Sequence, residues 1–152
     1  EAILMEQNRF ENNVDTSSIP NPIMKLLYVL VKKEIEKFNN IISKFKYYSP
    51  IEDIYELADE VKNIIPLIAQ FGEGWVLPAE IVSLARNKAD GVISLQPFGC
   101  IANHIISKGV ENKIKQLYPD LSLLSLDFDS GVSEVNVVNR LMLLKDSMSK
   151  KA

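Results

Sequence analysis

The one cysteine of this 152-residue chain, Cys100, stands where a thiol is chemically useful. It closes the run Val92-Ile93-Ser94-Leu95-Gln96-Pro97-Phe98-Gly99-Cys100, which reads as a buried strand, a Pro/Gly turn and the first residue of a helix. A helix start offers unpaired N–H groups and the positive end of the dipole, so it favours a thiolate. The Gly99–Cys100 corner would equally suit a metal or a phosphate. A single thiol cannot build a metal site, however. Cys100 is either a small buried hydrophobe or one ligand of a site completed by other chain.

Other residues could join it. His104 follows Cys100 by four positions, so on a helix both share a side and could share a metal or a proton. The competing role for His104 is a capping or solvent-facing imidazole. Asp127 and Asp129, followed by Ser130 and Gly131, end a second apolar run. They could hold a ribose, a magnesium ion or a proton. They could equally form an Asx turn ahead of a helix cap. Gly72-Glu73-Gly74-Trp75 could bring backbone close to a ligand, or be a plain turn with Trp75 as a packing residue. It lacks the preceding strand and the third glycine of a dinucleotide fingerprint.

The elements that must position these residues follow from periodicity. Leu26, Leu27, Leu30, Val31, Ile35, Phe38, Ile41, Ile42 and Phe45 recur at three- and four-residue steps, which predicts an amphipathic helix over 23–45 with that stripe as core. Ser49 and Pro50 suit the cap and first position of a second helix running to Ile65, just before Pro66, and the pair predicts a helical hairpin. Beyond Phe71, a helix to about Asn87, a strand at Val92–Leu95, a helix from Cys100 to Tyr118, a strand at Ser122–Phe128 and a last helix follow in turn. Glu1–Met5 could add a short third strand, and 6–18 reads as loop.

Strand–helix–strand with continuous apolar strands implies a parallel pair joined by a right-handed crossover, with helices on both faces. The expected fold is α/β, a Rossmann-like three-layer arrangement around a small parallel sheet, helix-rich and preceded by the hairpin. The expected division is 1–71 as extension and hairpin and 72–152 as the Rossmann-like lobe, together one compact unit and a fragment of a larger protein. Ligands of such sheets bind beyond the carboxyl ends of the strands. Here those ends are Gln96–Cys100 and Asp127–Gly131.

Composition narrows the classes. A net charge of −3 without a basic cluster argues against nucleic acid as a partner. One cysteine excludes an internal disulfide framework and fits a reducing cytoplasm. The longest apolar run, Ile23–Val31, is interrupted by Lys25 and too short to span a bilayer.

Three motifs stand in order: Gly72-Glu73-Gly74-Trp75; Gln96-Pro97-Phe98-Gly99-Cys100 with Asn103-His104; and Asp127-Phe128-Asp129-Ser130-Gly131-Val132-Ser133-Glu134-Val135-Asn136, with Asn139-Arg140 behind. Together they resemble the C-terminal region of the large activase-related proteins of the 2-hydroxyacyl-CoA dehydratase and benzoyl-CoA reductase system, the CoA-substrate-specific enzyme activases. The resemblance covers 72–144; residues 1–71 share only helical character. It implies Rossmann-like lobes that hold an iron–sulfur cluster, with Cys100 as the cluster ligand contributed here. Gly99, Asp127, Asp129 and Gly131 would line the same cofactor site. Ala102 stands where the family pattern often has proline. No partner cysteine and no sugar-kinase-type phosphate loop is present, so the resemblance implies a lobe of a longer parent without turnover of its own. It further implies electron transfer towards an acyl-CoA or similar substrate in an anaerobic cytoplasm. The partners would be the parent's other domains, dehydratase subunits or a second copy of the chain as a homodimer. The alternatives are a non-catalytic module docking activator onto dehydratase, with Cys100 buried, and a small nucleotide-binding domain using Asp127–Gly131.

Overall fold

The computed structural model describes residues 21–70 and 72–150. The strand expected at Glu1–Met5 and the loop expected over 6–18 lie outside the described residues. The chain forms two compact units, Glu1–Asp59 and Glu60–Ala152.

In the first unit, α1 (Asn21–Ile42) is joined to α2 (Ile54–Val61), which crosses into the second unit. The hairpin forms through polar ties. Tyr28 donates to Asp53 Oδ2 at 2.5 Å, and Lys32 Nζ lies 3.0 Å from the same oxygen. The Asn39 carboxamide brackets the Ile51 peptide, donating to its carbonyl and accepting from its N–H, each at 3.0 Å. Tyr28 and Tyr55 stack edge to face with centroids 5.4 Å apart. Asp53 also accepts from the Tyr55 N–H at 2.9 Å and so caps α2. The expected cap, Ser49, is displaced by Asp53 because Tyr28 and Lys32 hold Asp53 in place. The expected core stripe of α1 also differs. Leu26, Leu30, Phe38, Ile41 and Phe45 are exposed, and only Leu27, Val31, Ile35 and Ile42 are half-buried. An eight-residue α2 is too short to cover six turns of α1.

The second unit is the α/β lobe: α3 (Val76–Arg86), β1 (Gly91–Pro97), a π-helical turn (Ala102–Ser107) continuing into α4 (Lys108–Leu117), β2 (Ser122–Phe128) and α5 (Glu134–Ser149). β1 and β2 pair in parallel, with Gly91 opposite Ser122 and Pro97 opposite Phe128. Alternation gives the sheet two faces. Val92, Ser94 and Gln96 share one face with Leu123, Ser125 and Asp127. This face is covered by the π-turn and α4, where Glu111 accepts from Ser125 Oγ at 2.6 Å. Burial pushes the Glu111 carboxyl up, but Lys115, Ser125 and Lys108 together hold it below its ordinary value. The opposite face meets α5: Ser122 and Ser147 hydroxyls lie 3.1 Å apart, and Arg140 Nη2 donates to the Ser125 carbonyl at 2.6 Å. The fold is thus a helix-rich α/β, Rossmann-like arrangement preceded by a helical hairpin. The α5 cover is partial, leaving Ile93, Leu95 and Phe128 exposed. The buried core of the lobe holds Trp75, Val76, Val82, Val92, Ile114 and Leu126.

Candidate functional site: the thiol at the end of β1

The site is built by the short corner after β1. Pro97 stops the ladder, and Gly99 takes φ +78°, a left-handed conformation that costs glycine least. The corner is tied twice: the Phe98 N–H donates to the Phe128 carbonyl and the Cys100 N–H to the Pro97 carbonyl, each at 3.1 Å. The Asp127–Gly131 end of β2 is therefore held against the Cys100 corner, as parallel pairing requires.

Cys100 stands at the start of the helix. Asn103 Nδ2 donates to its Sγ at 3.1 Å. The Asn103 side chain, followed by the backbone N–H groups, lowers the Cys100 pKa; burial and the nearby Glu73 carboxylate oppose it without reversing it. Cys100 is half-buried rather than sealed in the core. This thiol is both reachable and biased toward thiolate.

The Gly72–Trp75 loop abuts this helix start. A Cβ on Gly72 would lie 3.5 Å from Ala102 Cβ. Its backbone bond from Trp75 N–H to the Ala69 carbonyl, 2.8 Å, requires the tight approach at Gly74, where a Cβ would stand 2.2 Å from that oxygen. Trp75 is fully buried, as a packing residue would be.

His104 and Cys100 do not turn toward one another through hydrogen bonds. His104 Nε2 approaches Asp127 Oδ1 at 3.8 Å, and Lys108 Nζ lies 3.6 Å from the same oxygen. Asp127 is thus drawn to the helix on the covered face. Asp129 accepts from the Gly131 N–H at 2.7 Å, which is an Asx turn, and both residues are exposed. The structure brings Gly99, Cys100 and Asp127 to one sheet end, while Asp129 and Gly131 form the adjoining turn.

Two residues were missed by sequence reasoning. Asn103 is a direct partner of the thiol, and its place three residues on, along the same side of the helix, could have disclosed it. Gln96 is wholly buried, and both its amide atoms lack a hydrogen-bond partner among the described residues. Strand alternation with Val92 and Ser94 could have placed it on the covered face.

Among the described residues, no group of three or more His, Cys, Asp or Glu could hold a metal ion. Among them too, no helix is long and apolar enough to cross a membrane. No family model, curated protein or solved structure matches the chain.

Proposed function

We propose that this chain is the C-terminal lobe of an activase-related protein of the 2-hydroxyacyl-CoA dehydratase type, contributing the Cys100 thiolate to an iron–sulfur cluster. The observation that carries the reading is the Cys100 sulfur at the helix start, which accepts from Asn103 Nδ2 at 3.1 Å. Thiolates are the usual cluster ligands, and N–H donors to sulfur are among the groups that set cluster potentials. One residue bears on such a group: Cys100, half-buried, with its thiol pKa lowered. A cluster bound there would supply low-potential one-electron transfer.

The chain's own residues have distinct tasks in this reading. Cys100 binds, Asn103 and the helix start neutralise its charge, and the Phe98–Phe128 backbone bond fixes the corner. Asp127 orients His104 and Lys108 beside it. The remaining ligands come from other chain, in the parent's further domains or a partner subunit, because the described residues carry one thiol. The parent would work in an anaerobic cytoplasm, since such clusters are oxygen-sensitive.

The test is the iron and sulfide content and EPR spectrum of the parent purified without oxygen, as wild type and Cys100→Ala. Loss or alteration of the cluster in the variant supports the reading. Equal iron loading, or none in either after reconstitution, removes it.

A second reading has its own observation. Phe98, Ile101 and Ile105 are 82%, 57% and 66% exposed around the thiol. A non-catalytic module that docks activator onto dehydratase would use such a rim. It predicts a colourless parent whose complex weakens when Phe98 is replaced by aspartate.

A further inference from the structure

The outer edges of the sheet are built differently. In a parallel ladder alternate residues turn their N–H and C=O groups toward the neighbouring strand. The Ser122 N–H donates to the Asp90 carbonyl at 3.2 Å and the Phe98 N–H to the Phe128 carbonyl at 3.1 Å, so the even-numbered residues of β1 face β2. Gly91, Ile93 and Leu95 therefore turn their N–H and C=O groups outward, and among the described residues none of these groups has a partner there. On β2 the odd-numbered residues face outward, and Arg140 Nη2 donates to the Ser125 carbonyl at 2.6 Å. A guanidinium seated on an edge carbonyl closes β2 to another strand. β1 carries no such guard: residues 91–96 hold no charged side chain, and its proline, Pro97, stands at the end.

The side chains agree with the backbone. Ile93 and Leu95 are 45% and 57% exposed on the face that meets α5. α5 is anchored over β2 through Ser147 and Arg140, and its Met148 reaches the start of β1 at Gly91. Leu141 lies roughly two turns before Met148 on the same side of α5 and is also exposed. An apolar trough thus runs beside an open edge.

We propose that β1 pairs edge to edge with β1 of a second copy of this chain, antiparallel about a two-fold axis at Ile93, giving a continuous sheet in the order β2-β1-β1-β2. The pairing is independent of what Cys100 binds. Its register follows from the donors. With Ile93 opposite Ile93 of the second copy, Gly91 lies opposite Leu95, and every outward N–H and carbonyl of these residues finds a partner. Pro97, which has no N–H, then falls outside the ladder. A register centred between Ile93 and Leu95 would instead set Pro97 opposite Gly91 and leave a carbonyl without a donor. The edge is complementary to itself, with one outward N–H for each outward carbonyl and no charge to set against its own copy. Leu95 of the second copy would fill the space that Gly91 leaves beside Met148.

The paired edges, with Ile93, Leu95 and Leu141 of both copies, would bury on the order of 1,000 Å² in total, the lower limit of a specific interface, so the dimer is weak and forms at micromolar or higher concentration. Because Arg140 closes the β2 edge, association stops at a closed pair rather than growing into a fibre.

Sedimentation of the full chain over micromolar to millimolar concentrations tests this, as wild type, Ile93→Lys and Leu143→Lys. Ile93 is half-exposed, so a lysine is tolerated in the monomer, but at the axis it meets its own copy and should raise the dissociation constant by about tenfold or more. Leu143 is exposed on the other side of α5, where it lines the cavity over β2, and its lysine variant should dimerise as wild type does. A chain that stays monomeric, a dimer that Ile93→Lys leaves intact, or equal weakening by both variants overturns the proposal. Should Ile93→Lys not fold by circular dichroism, amide hydrogen exchange of the wild type decides. The Ile93 and Leu95 N–H groups should exchange more slowly as concentration rises. Exchange that does not change with concentration overturns the proposal, and if it is slow throughout, another segment of the chain covers the edge.

Discussion

Replacing Asn103 by alanine should make the Cys100 thiol harder to ionise and slower to alkylate. The 3.1 Å contact from Nδ2 is the first of the donors that lower its pKa. A hydrogen bond to a charged group contributes roughly 1.5–3 kcal/mol when shielded, and the half-buried thiol retains about 1 kcal/mol of that after solvent screening. That is about a fivefold loss of thiolate at any pH below the inflection. The more basic thiolate is intrinsically more nucleophilic, with a Brønsted slope near 0.45, which returns about twofold. The net expectation is a rate two- to threefold lower on the acid limb and a higher plateau on the alkaline side, with the inflection moved to higher pH. Iodoacetamide labelling followed by mass spectrometry across the thiol's titration range measures this. Asn103→Asp should move the inflection further in the same direction, since it sets a carboxylate against the sulfur. Circular dichroism confirms that each variant is folded before its profile is compared. A profile for Asn103→Ala that overlays the wild type, or shifts to lower pH, refutes this account of the thiol.

Other consequences are open to measurement. A depressed thiol pKa in the fold contributes stability that is present above the unfolded pKa and lost as pH falls through the folded one; denaturation midpoints should show this in wild type and lose it in Cys100→Ser. Burial pushes the Asp53 carboxyl up, but Tyr28, the Tyr55 N–H and Lys32 hold it net below its ordinary value, so its contribution is present above the unfolded carboxylate range and fades as pH falls through the folded pKa. Asp53→Ala should cost about 1–2 kcal/mol by urea denaturation, through loss of the cap and the Tyr28 bond, and should flatten that acid limb. Gly74→Ala should be far more damaging than Gly91→Ala. The first drives a Cβ to 2.2 Å from the Ala69 carbonyl at φ +51°, whereas the second meets the flexible Met148 thioether. Comparable thermal shifts for the two would contradict this placement of the Gly72–Trp75 loop.

The strands were the most legible elements. Ser122–Phe128 lies where the apolar run between Pro119-Asp120 and Asp129-Gly131 puts it, and β1 extends the expected Val92–Leu95 by one residue before and two after. Short apolar runs bounded by strong turn residues leave the chain little choice. Legibility fell where a distant residue decides. Ser49 and Asp53 are both good caps, and only Tyr28 and Lys32, far upstream, select Asp53. The stripe on α1 states which side is apolar but not how much of it a neighbour will cover. The π-turn at Ala102–Ser107 has no periodic signature of its own, and the sequence reads there as plain helix. At the site, the helix-start position of Cys100 was readable from spacing. That Asn103 donates to the sulfur depends on rotamers that spacing does not carry.

The bond from Asn103 Nδ2 to the Cys100 sulfur sits at the helix start, where the Asn103 and Ala102 N–H groups also lower the thiol pKa. Serine at this position would keep an acceptor for Asn103 Nδ2 and remove the thiolate, whereas alanine would remove both. If the thiol matters only as that acceptor, Cys100→Ser should resemble wild type in stability below the thiol's titration range and in every assay of the parent. If it binds through sulfur, serine should keep the fold and lose the bound group. The pair of substitutions therefore separates a structural cysteine from a ligand at one position.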